Sequence, residues 1–173
     1  DFINRMADHL NTSFRTDRVL GIIDELQAQI EPEMPNYIQR WGRPEGMNQW
    51  RGFVNTMRDF AERRPDFLRQ NILEHFGLES TTSISVDVND TDRGNAIVSA
   101  LLISPETPGV DENPYPWRGI YFSDVPITIK TKPEFGYNLS HWLVDGKQVY
   151  NKELTVLPDT TENITAVFED FDL

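Results

Sequence analysis

Apolar residues recur at two different intervals along this chain, and the change of interval divides it into a helical part and a β part. In the helical part, one predicted helix has apolar side chains on a single face, at Val19, Ile23, Leu26 and Ile30. In the β part, Ile84, Val86 and Val88 alternate with polar residues, as in a half-buried strand. The sequence therefore predicts an α+β fold, with an all-α segment over residues 1–78 followed by a small antiparallel β domain over residues 79–173.

Threonine, proline and glycine mark the predicted ends of the helices. Thr16 is a candidate N-cap for the helix over residues 19–30, because its hydroxyl can accept a hydrogen bond from a free N–H group of the first turn. Proline lacks a backbone N–H and disfavours a helical conformation in the residue before it. One helix is therefore expected to end at Arg64 and another to begin at Pro65, with Gly77 as its left-handed stop.

The opening residues carry an apolar stripe of their own, formed by Phe2, Ile3, Met6 and Leu10. The chain begins at Asp1 without an initiator methionine, which indicates a piece cut from a longer protein. Exposure of the whole stripe is costly, because burial of each large apolar side chain is worth about 1.5–3 kcal/mol. We therefore expect the stripe to pack, in the parent protein, on the part of the chain upstream of Asp1 or on its own helical neighbours. In this chain we expect either a frayed N-terminus or self-association.

The β part contains several further strand patterns and one long loop. The mostly apolar run over residues 97–103 suits a single strand that is covered on both faces. More strands are predicted around residues 125–129, 137–144, 152–157 and 163–169. The proline-rich stretch 104–117 is predicted to be a loop, and Asp145 with Gly146 is predicted to form a hairpin turn.

Charge and composition exclude several classes of function. The 173 residues carry a formal net charge of −12 and include no cysteine. Such an acidic chain has no basic face to neutralise nucleic-acid phosphates, so we expect no nucleic-acid partner. The lack of cysteine excludes disulfides, thiol catalysis and cysteine-bound zinc. No apolar run approaches the roughly 20 residues that a membrane-spanning helix needs, so no membrane span is expected.

One acidic turn is a candidate metal site. Asp87, Asn89, Asp90 and Asp92 precede Gly94, and calcium takes six to eight hard oxygen ligands of this kind. The same residue types are ordinary in hairpin turns, and the spacing does not match a calcium-binding helix-loop-helix. We therefore favour the turn over the calcium site and predict no metal ligands here. No phosphate-binding glycine loop, metalloprotease motif or nucleophile elbow is present in the sequence, so no catalytic residue is assigned.

Aromatic residues of the β part are the remaining candidate site. Exposed aromatic rings can stack on sugars or peptides, and Tyr115, Trp117 and Tyr121 lie in or next to the predicted loop. We therefore take these three as candidate ligand-binding residues, with burial in the core as the alternative. Trp142, in contrast, follows an alternating apolar pattern and is predicted to be a core residue.

Four segments of the helical part resemble one known family. They are RMADHLNTSF (5–14), IIDELQAQIEPEMP (22–35), MRDFAERRP (57–65) and ILEHFGL (72–78). Together they are similar to the C-terminal end of the CotH (spore coat protein H) kinase family. The β part, through YPWRGIYF, VPITIKTKPEFGYNLSHW and NITAVFED, resembles small β-rich repeat modules that follow this domain in secreted bacterial proteins.

The resemblance implies an extracellular or cell-surface parent protein, an atypical protein kinase that uses ATP and a divalent cation such as Mg²⁺. The nucleotide- and metal-binding residues of the family lie upstream of the matched part, so none is carried onto this chain, and no cofactor is expected in it. The expected function is a non-catalytic, structural and interaction role, with the upstream part of the parent chain as partner and a protein or glycan surface as a further candidate.

Two alternatives to this role remain. The first is a carbohydrate- or protein-binding β module that is carried on a helical spacer. The second is a self-sufficient enzyme, which lacks support because no acid, base and nucleophile converge in the sequence.

Overall fold

The computed structural model describes residues 2–171, in which all helices precede the strands. The helices are α1 (Phe2–Leu10), α2 (Thr16–Ile30), α3 (Met34–Trp41) and α4 (Met47–Phe76), with a 3₁₀ turn (Glu31–Glu33) between α2 and α3. The strands are β1 (Thr81–Val88), β2 (Gly94–Val98), β3 (Leu101–Leu102), β4 (Trp117–Phe122), β5 (Ile127–Pro133), β6 (Tyr137–Val144), β7 (Lys147–Val149), β8 (Leu154–Val156) and β9 (Asn163–Asp170). The predicted α+β fold is confirmed.

The strands form two sheets, with the orders β4-β1-β9-β6-β7 and β3-β2-β5-β8. Neighbouring strands are antiparallel except for β1 and β9, which are parallel. The two sheets share one hydrophobic core, whose members include Val86, Val98, Ile129, Trp142 and Phe168. Trp142 is fully buried and its indole N–H donates to the Asn151 carbonyl at 2.9 Å, so the prediction that Trp142 is a core residue is confirmed.

Helix α4 runs without interruption through Pro65, so the predicted helix break at Arg64 is wrong. The buried residues of α4 explain the continuity, because they keep helical spacing on both sides of the proline: Val54, Ala61, Pro65 and Ile72. A proline removes one backbone hydrogen bond, whereas a break would split this apolar face. The predicted stop is confirmed, since Gly77 follows α4 in the left-handed conformation with φ of 65°.

Helix α2 begins at Thr16, but the predicted cap by this residue is wrong. Arg15 occupies the N-cap position, and no side chain caps the helix there. The Arg15 guanidinium pairs instead with the Asp17 carboxylate, with an Nη2–Oδ2 distance of 2.5 Å. This contact holds a negative charge at the positive end of the α2 dipole.

The apolar run over residues 97–103 is two strands instead of one, which corrects the single-strand prediction. Ser99 and Ala100 turn the chain between β2 and β3, and Ser99 has φ of 55°. The turn closes when the Ile103 N–H donates to the Ala96 carbonyl at 2.9 Å. The predicted hairpin turn between β6 and β7 is present, with φ of 47° at Asp145 and 79° at Gly146.

The sequence pattern missed β4, which lies directly after the predicted loop. Trp117, Gly119, Tyr121 and Phe122 are its buried positions, while Arg118 and Ile120 are exposed, so the strand alternates over residues 117–121. The inward position 119 is occupied by glycine, so the alternation is not visible as a pattern of apolar and polar side chains. This glycine leaves room for the Trp117 ring, which lies against the backbone of Gly119.

Helix α1 packs on the β part, so its apolar stripe has a partner within the chain. Ala7 is 1% exposed and belongs to the core that the two sheets share, and Ile3 and Met6 pack against that core. Leu10 is 3% exposed, whereas Phe2 remains 59% exposed. The expectation of an unpartnered stripe is therefore wrong for most of α1. The division into domains at residues 78 and 79 stays a prediction.

Candidate functional site

A buried carboxylate fastens α1 to the β part. The Tyr121 hydroxyl donates to Asp8 Oδ1 at 2.8 Å, and the Ala100 N–H donates to Asp8 Oδ2 at 3.3 Å. Burial raises the pKa of Asp8, an effect that the hydrogen bonds from Tyr121 and Ala100 oppose. Burial, followed by the charge of Asp8, raises the pKa of Tyr121 well above its ordinary value. The pair therefore holds α1 against β4 through a buried hydrogen bond.

Asparagine side chains complete the contact between α1 and the sheets. Strand β4 lies at the edge of its sheet, where backbone groups on the free side lack a strand partner. The Asn11 side chain supplies that partner: its Nδ2 donates to the Ile120 carbonyl at 2.9 Å, and its Oδ1 accepts from the Ile120 N–H at 3.0 Å. In addition, Asn4 Nδ2 donates to the Pro126 carbonyl at 2.8 Å. The edge of β4 is thus covered locally by the chain itself.

The three predicted ligand-binding aromatics point largely into the protein. Tyr121 is 0% exposed and Trp117 is 7% exposed, and their rings meet edge to face at 6.1 Å. The Tyr115 hydroxyl donates to the Ile103 carbonyl at 2.8 Å and accepts from the Ala96 N–H at 2.7 Å, and burial raises the pKa of Tyr115 to about 12. Trp117 and Tyr121 are therefore not exposed platforms. Ligand binding at these three residues stays a prediction.

The acidic turn after β1 is held by hydrogen bonds within the protein. Asn89 pairs with the backbone of β9, since it donates to the Phe168 carbonyl at 3.0 Å and accepts from the Phe168 N–H at 2.8 Å. Asp90 accepts from the Asp92 N–H at 3.0 Å and pairs with Arg93 at 3.1 Å. Within residues 2–171, no three His, Asp or Glu side chains are grouped so that they could hold a metal ion.

The helices α2 and α4 enclose an open apolar groove of about 620 Å³. Its walls include Phe14, Val19, Ile23, Met57, Phe60 and Leu68. The core beneath this pair of helices is small, with Ile23, Val54 and Ala61 as its buried members. Met57 is 53% exposed and Phe60 is 63% exposed. Further exposed apolar side chains lie on the same helices or on α3, at Ile22, Leu26, Ile30, Tyr37, Trp41, Phe53, Phe67 and Phe76. An apolar surface of this extent is typical of an interaction site.

Two more clefts are polar. One, of about 690 Å³, lies on the β part, and its lining includes Tyr115, Asn95, Asn113, Glu106 and Lys132. The other, of about 410 Å³, lies where the helical part meets β4, and its lining includes Arg15, Arg69, Arg118, Asp111 and Trp117. Sequence reasoning missed the second cleft, because its residues come from segments far apart in the chain.

Comparison with known proteins supports the family resemblance of the helical part. Residues 1–68 match the family described as CotH kinase protein. This match confirms the resemblance over residues 1–68, while the β part lies beyond the match. No curated protein and no solved structure matches the chain. In residues 2–171, no helix is both long and apolar enough to cross a membrane.

Proposed function

We propose that the helical part is the C-terminal end of a CotH-type domain that docks on the rest of that domain, and that the β part is an accessory module which it carries. The chain then has a non-catalytic, structural and interaction role in an extracellular or cell-surface protein. The observation that carries the proposal is the exposed apolar groove between α2 and α4, whose lining residues all lie within the region of the family match.

The energetics of the groove favour an occupant. Burial of side chains such as Met57 and Phe60 is worth about 1.5–3 kcal/mol each, so a partner that covers the groove gains several kcal/mol. Arg64 also lines the groove, with its guanidinium 5.7 Å from the Phe60 ring centroid. The groove thus combines an apolar floor with a cationic rim, which suits an amphipathic segment of the preceding CotH-type domain.

The kinase cofactors that the resemblance implies are assigned to that preceding part of the domain. The sequence contains no phosphate-binding glycine loop, and the residues with which the family binds nucleotide and metal lie upstream of the matched part. We therefore propose that this chain holds neither ATP nor Mg²⁺. The expected result is no magnesium-dependent thermal shift when ATP is added to the chain alone, since binding at micromolar affinity would raise the melting temperature visibly.

The docking proposal is tested by binding in trans. The preceding segment of the parent protein is produced separately, and its affinity for this chain is measured by calorimetry. Two charges are then placed in the groove with the variant Met57→Glu, Phe60→Glu. We expect the affinity to fall by more than a hundredfold, because each substitution replaces buried apolar area by a charge.

Phe135→Glu is the matched control, since Phe135 is 103% exposed and lies on the β part. It should leave the affinity unchanged. Binding of the preceding segment with equal affinity to the groove variant and the control would contradict the proposal. A stable dimer of this chain that the groove variant converts to a monomer would also contradict the proposal, because a second copy of the chain would then occupy the groove.

The alternative role, carbohydrate binding by the β part, is favoured by one observation. The 690 Å³ cleft combines Tyr115 with amide and carboxylate side chains, among them Asn95, Asn113 and Glu106. Such a mixture of ring and hydrogen-bonding groups is common in small-molecule sites. A glycan array tests this role: a hit that Asn113→Ala removes and Phe135→Ala keeps would establish it. No hit across the array would exclude the sugars presented.

A further inference from the structure

The cleft at the junction of the helical and β parts gathers three arginines from three separate segments. Arg15 precedes α2, Arg69 lies in α4, and Arg118 lies in β4. The protein as a whole carries a net charge of −12, so a local group of three guanidinium groups contrasts with the acidic surroundings. The cleft has a volume of about 410 Å³, which is within the range of small-molecule sites.

Arg69 is the central observation, because it is largely buried without a close acceptor. Its side chain is 14% exposed, and its Nη1 lies 3.7 Å from Asp66, whose own side chain is 92% exposed. Its Nη2 lies 3.5 Å from both the Leu10 carbonyl and Asn11 Oδ1. Charge-assisted hydrogen bonds of arginine are usually about 2.7–2.9 Å long. The guanidinium therefore has unused donor capacity, although burial makes such a shortage costly.

The other two arginines differ in whether they already form ion pairs within the protein. Arg15 pairs with Asp17 at 2.5 Å and with Asp111 at 3.0 Å. Arg118 is exposed, and it has no ion pair within residues 2–171. Asp111 lines the cleft and its side chain is 68% exposed, so a bound anion would compete with its carboxylate for Arg15.

We propose that this cleft binds a small oxyanion, a phosphate or carboxylate group, between Arg69 and Arg118 with Arg15 at the rim. The planar guanidinium presents paired N–H donors that match both groups. The ligand supplies the close acceptor that Arg69 lacks, and it neutralises Arg118 at the same time. This proposal does not depend on the docking proposal, although Leu10 lines both the cleft and the apolar groove.

The test titrates sodium phosphate and, separately, sodium citrate into the full chain at constant ionic strength, by calorimetry and by NMR of the arginine Nε–H groups. We expect saturable binding with a shift of the Arg69 signal. Arg118→Gln should weaken binding about tenfold or more, since it removes charge-assisted hydrogen bonds. Asp111→Asn should tighten it, because a competing carboxylate is gone. Arg63→Gln, an exposed arginine of α4 outside the cleft, is the charge-matched control and should have no effect.

The outcomes separate the proposal from a purely structural role for Arg69. Preference for phosphate or for citrate identifies the class of ligand, and either supports the site. Absence of saturable binding at about 10 mM of both probes would overturn it, and so would equal affinity in the Arg118→Gln and Arg63→Gln variants. In those cases Arg69 serves to hold the end of α1. Because Arg118 is exposed, its variant keeps the test valid even where Arg69→Gln fails to fold.

Discussion

Removal of the Tyr121 hydroxyl tests how α1 is held on the β part. In Tyr121→Phe the ring stays in the core, but Asp8 loses its 2.8 Å donor and keeps the Ala100 N–H at 3.3 Å. Loss of a partner from a buried polar group costs about 1–3 kcal/mol. For a chain of this size, each kcal/mol lowers the melting temperature by about 2–4 °C. We expect a loss of this order in Tyr121→Phe at pH 7, measured by thermal and urea unfolding.

The pH dependence gives the same contact an independent signature. The pKa of Asp8 is raised from its ordinary value of 3.8, so the folded chain keeps this proton at pH values where the unfolded chain releases it. The folded state then binds more protons, and the free energy of unfolding falls as the pH rises from the ordinary pKa through the raised one. The nearby positive charge of Arg5 opposes this shift without cancelling it.

Asp8→Asn isolates this effect, because the amide does not titrate. Other carboxyls, such as Asp17 with its pKa lowered by Arg15, contribute with the opposite sign, but they are common to both proteins. We therefore follow the difference in free energy of unfolding between wild type and Asp8→Asn from pH 3 to pH 8. The wild type should lose stability relative to the variant as the pH rises above about 4. A constant difference across this range, or a difference of opposite slope, would refute the reasoning.

Three other predictions concern the β part. Trp142→Ala should cost about 3–5 kcal/mol in urea unfolding, and a loss below 1 kcal/mol would contradict its place in the core. Gly109→Ala should destabilise the chain more than Gly136→Ala: both glycines have positive φ, but a Cβ at Gly109 would lie 2.5 Å from the Thr12 carbonyl carbon, whereas one at Gly136 meets nothing within 4 Å. Equal melting temperatures of the two variants would argue against this close approach. Addition of calcium, followed by a chelator, should leave the melting temperature of the chain unchanged. A calcium-dependent rise that Asp90→Asn abolishes would show that the acidic turn binds calcium.

Local periodicity predicted those elements whose buried face is formed by regularly spaced apolar residues. Strand β1 is of this kind, because Ile84, Val86 and Val88 are its buried residues. The stripe of α2 also predicted a helix, but only Ile23 of that stripe is buried, and Leu26 and Ile30 are about half exposed. Two of the errors fall where a single residue interrupts that pattern for a tertiary reason. Pro65 is buried in the face of α4 and Gly119 makes room for Trp117, so both read as breaks in the sequence although the elements continue through them.

The candidate sites were less accessible to sequence reasoning than the fold. Asp8 and Asn11 look like ordinary polar residues of a helical segment, and their partners Tyr121 and Ile120 lie more than 100 residues away. The spacing of residues within one segment does not indicate a contact between segments so far apart in the chain. The aromatic residues near the loop were visible, but whether a ring faces solvent depends on β4, which the pattern did not reveal.

The position of α1 leads to the last prediction, which concerns cleavage between the two parts. The change of periodicity predicts a boundary at residues 78 and 79, and a protease is expected to cut in the exposed link between α4 and β1. Helix α1 belongs by sequence to the helical part, but it packs on the β core through Ile3, Met6 and Ala7, and its Asp8 accepts a hydrogen bond from Tyr121. Such a contact should hold the two fragments together after the cut, and they should co-elute from a sizing column and unfold in one transition.

The variant Tyr121→Phe distinguishes the effect of the α1 contact from the effect of the covalent link between α4 and β1. If α1 holds the parts together, the nicked variant should dissociate more readily than the nicked wild type, because the Asp8 hydrogen bond is lost while the cleavage site is unchanged. Wild-type fragments that separate at once, with two unfolding transitions, would show that the parts are independent domains. In that case the shared core around Ala7 would contribute too little to couple them, and α1 would not be the attachment of the β part.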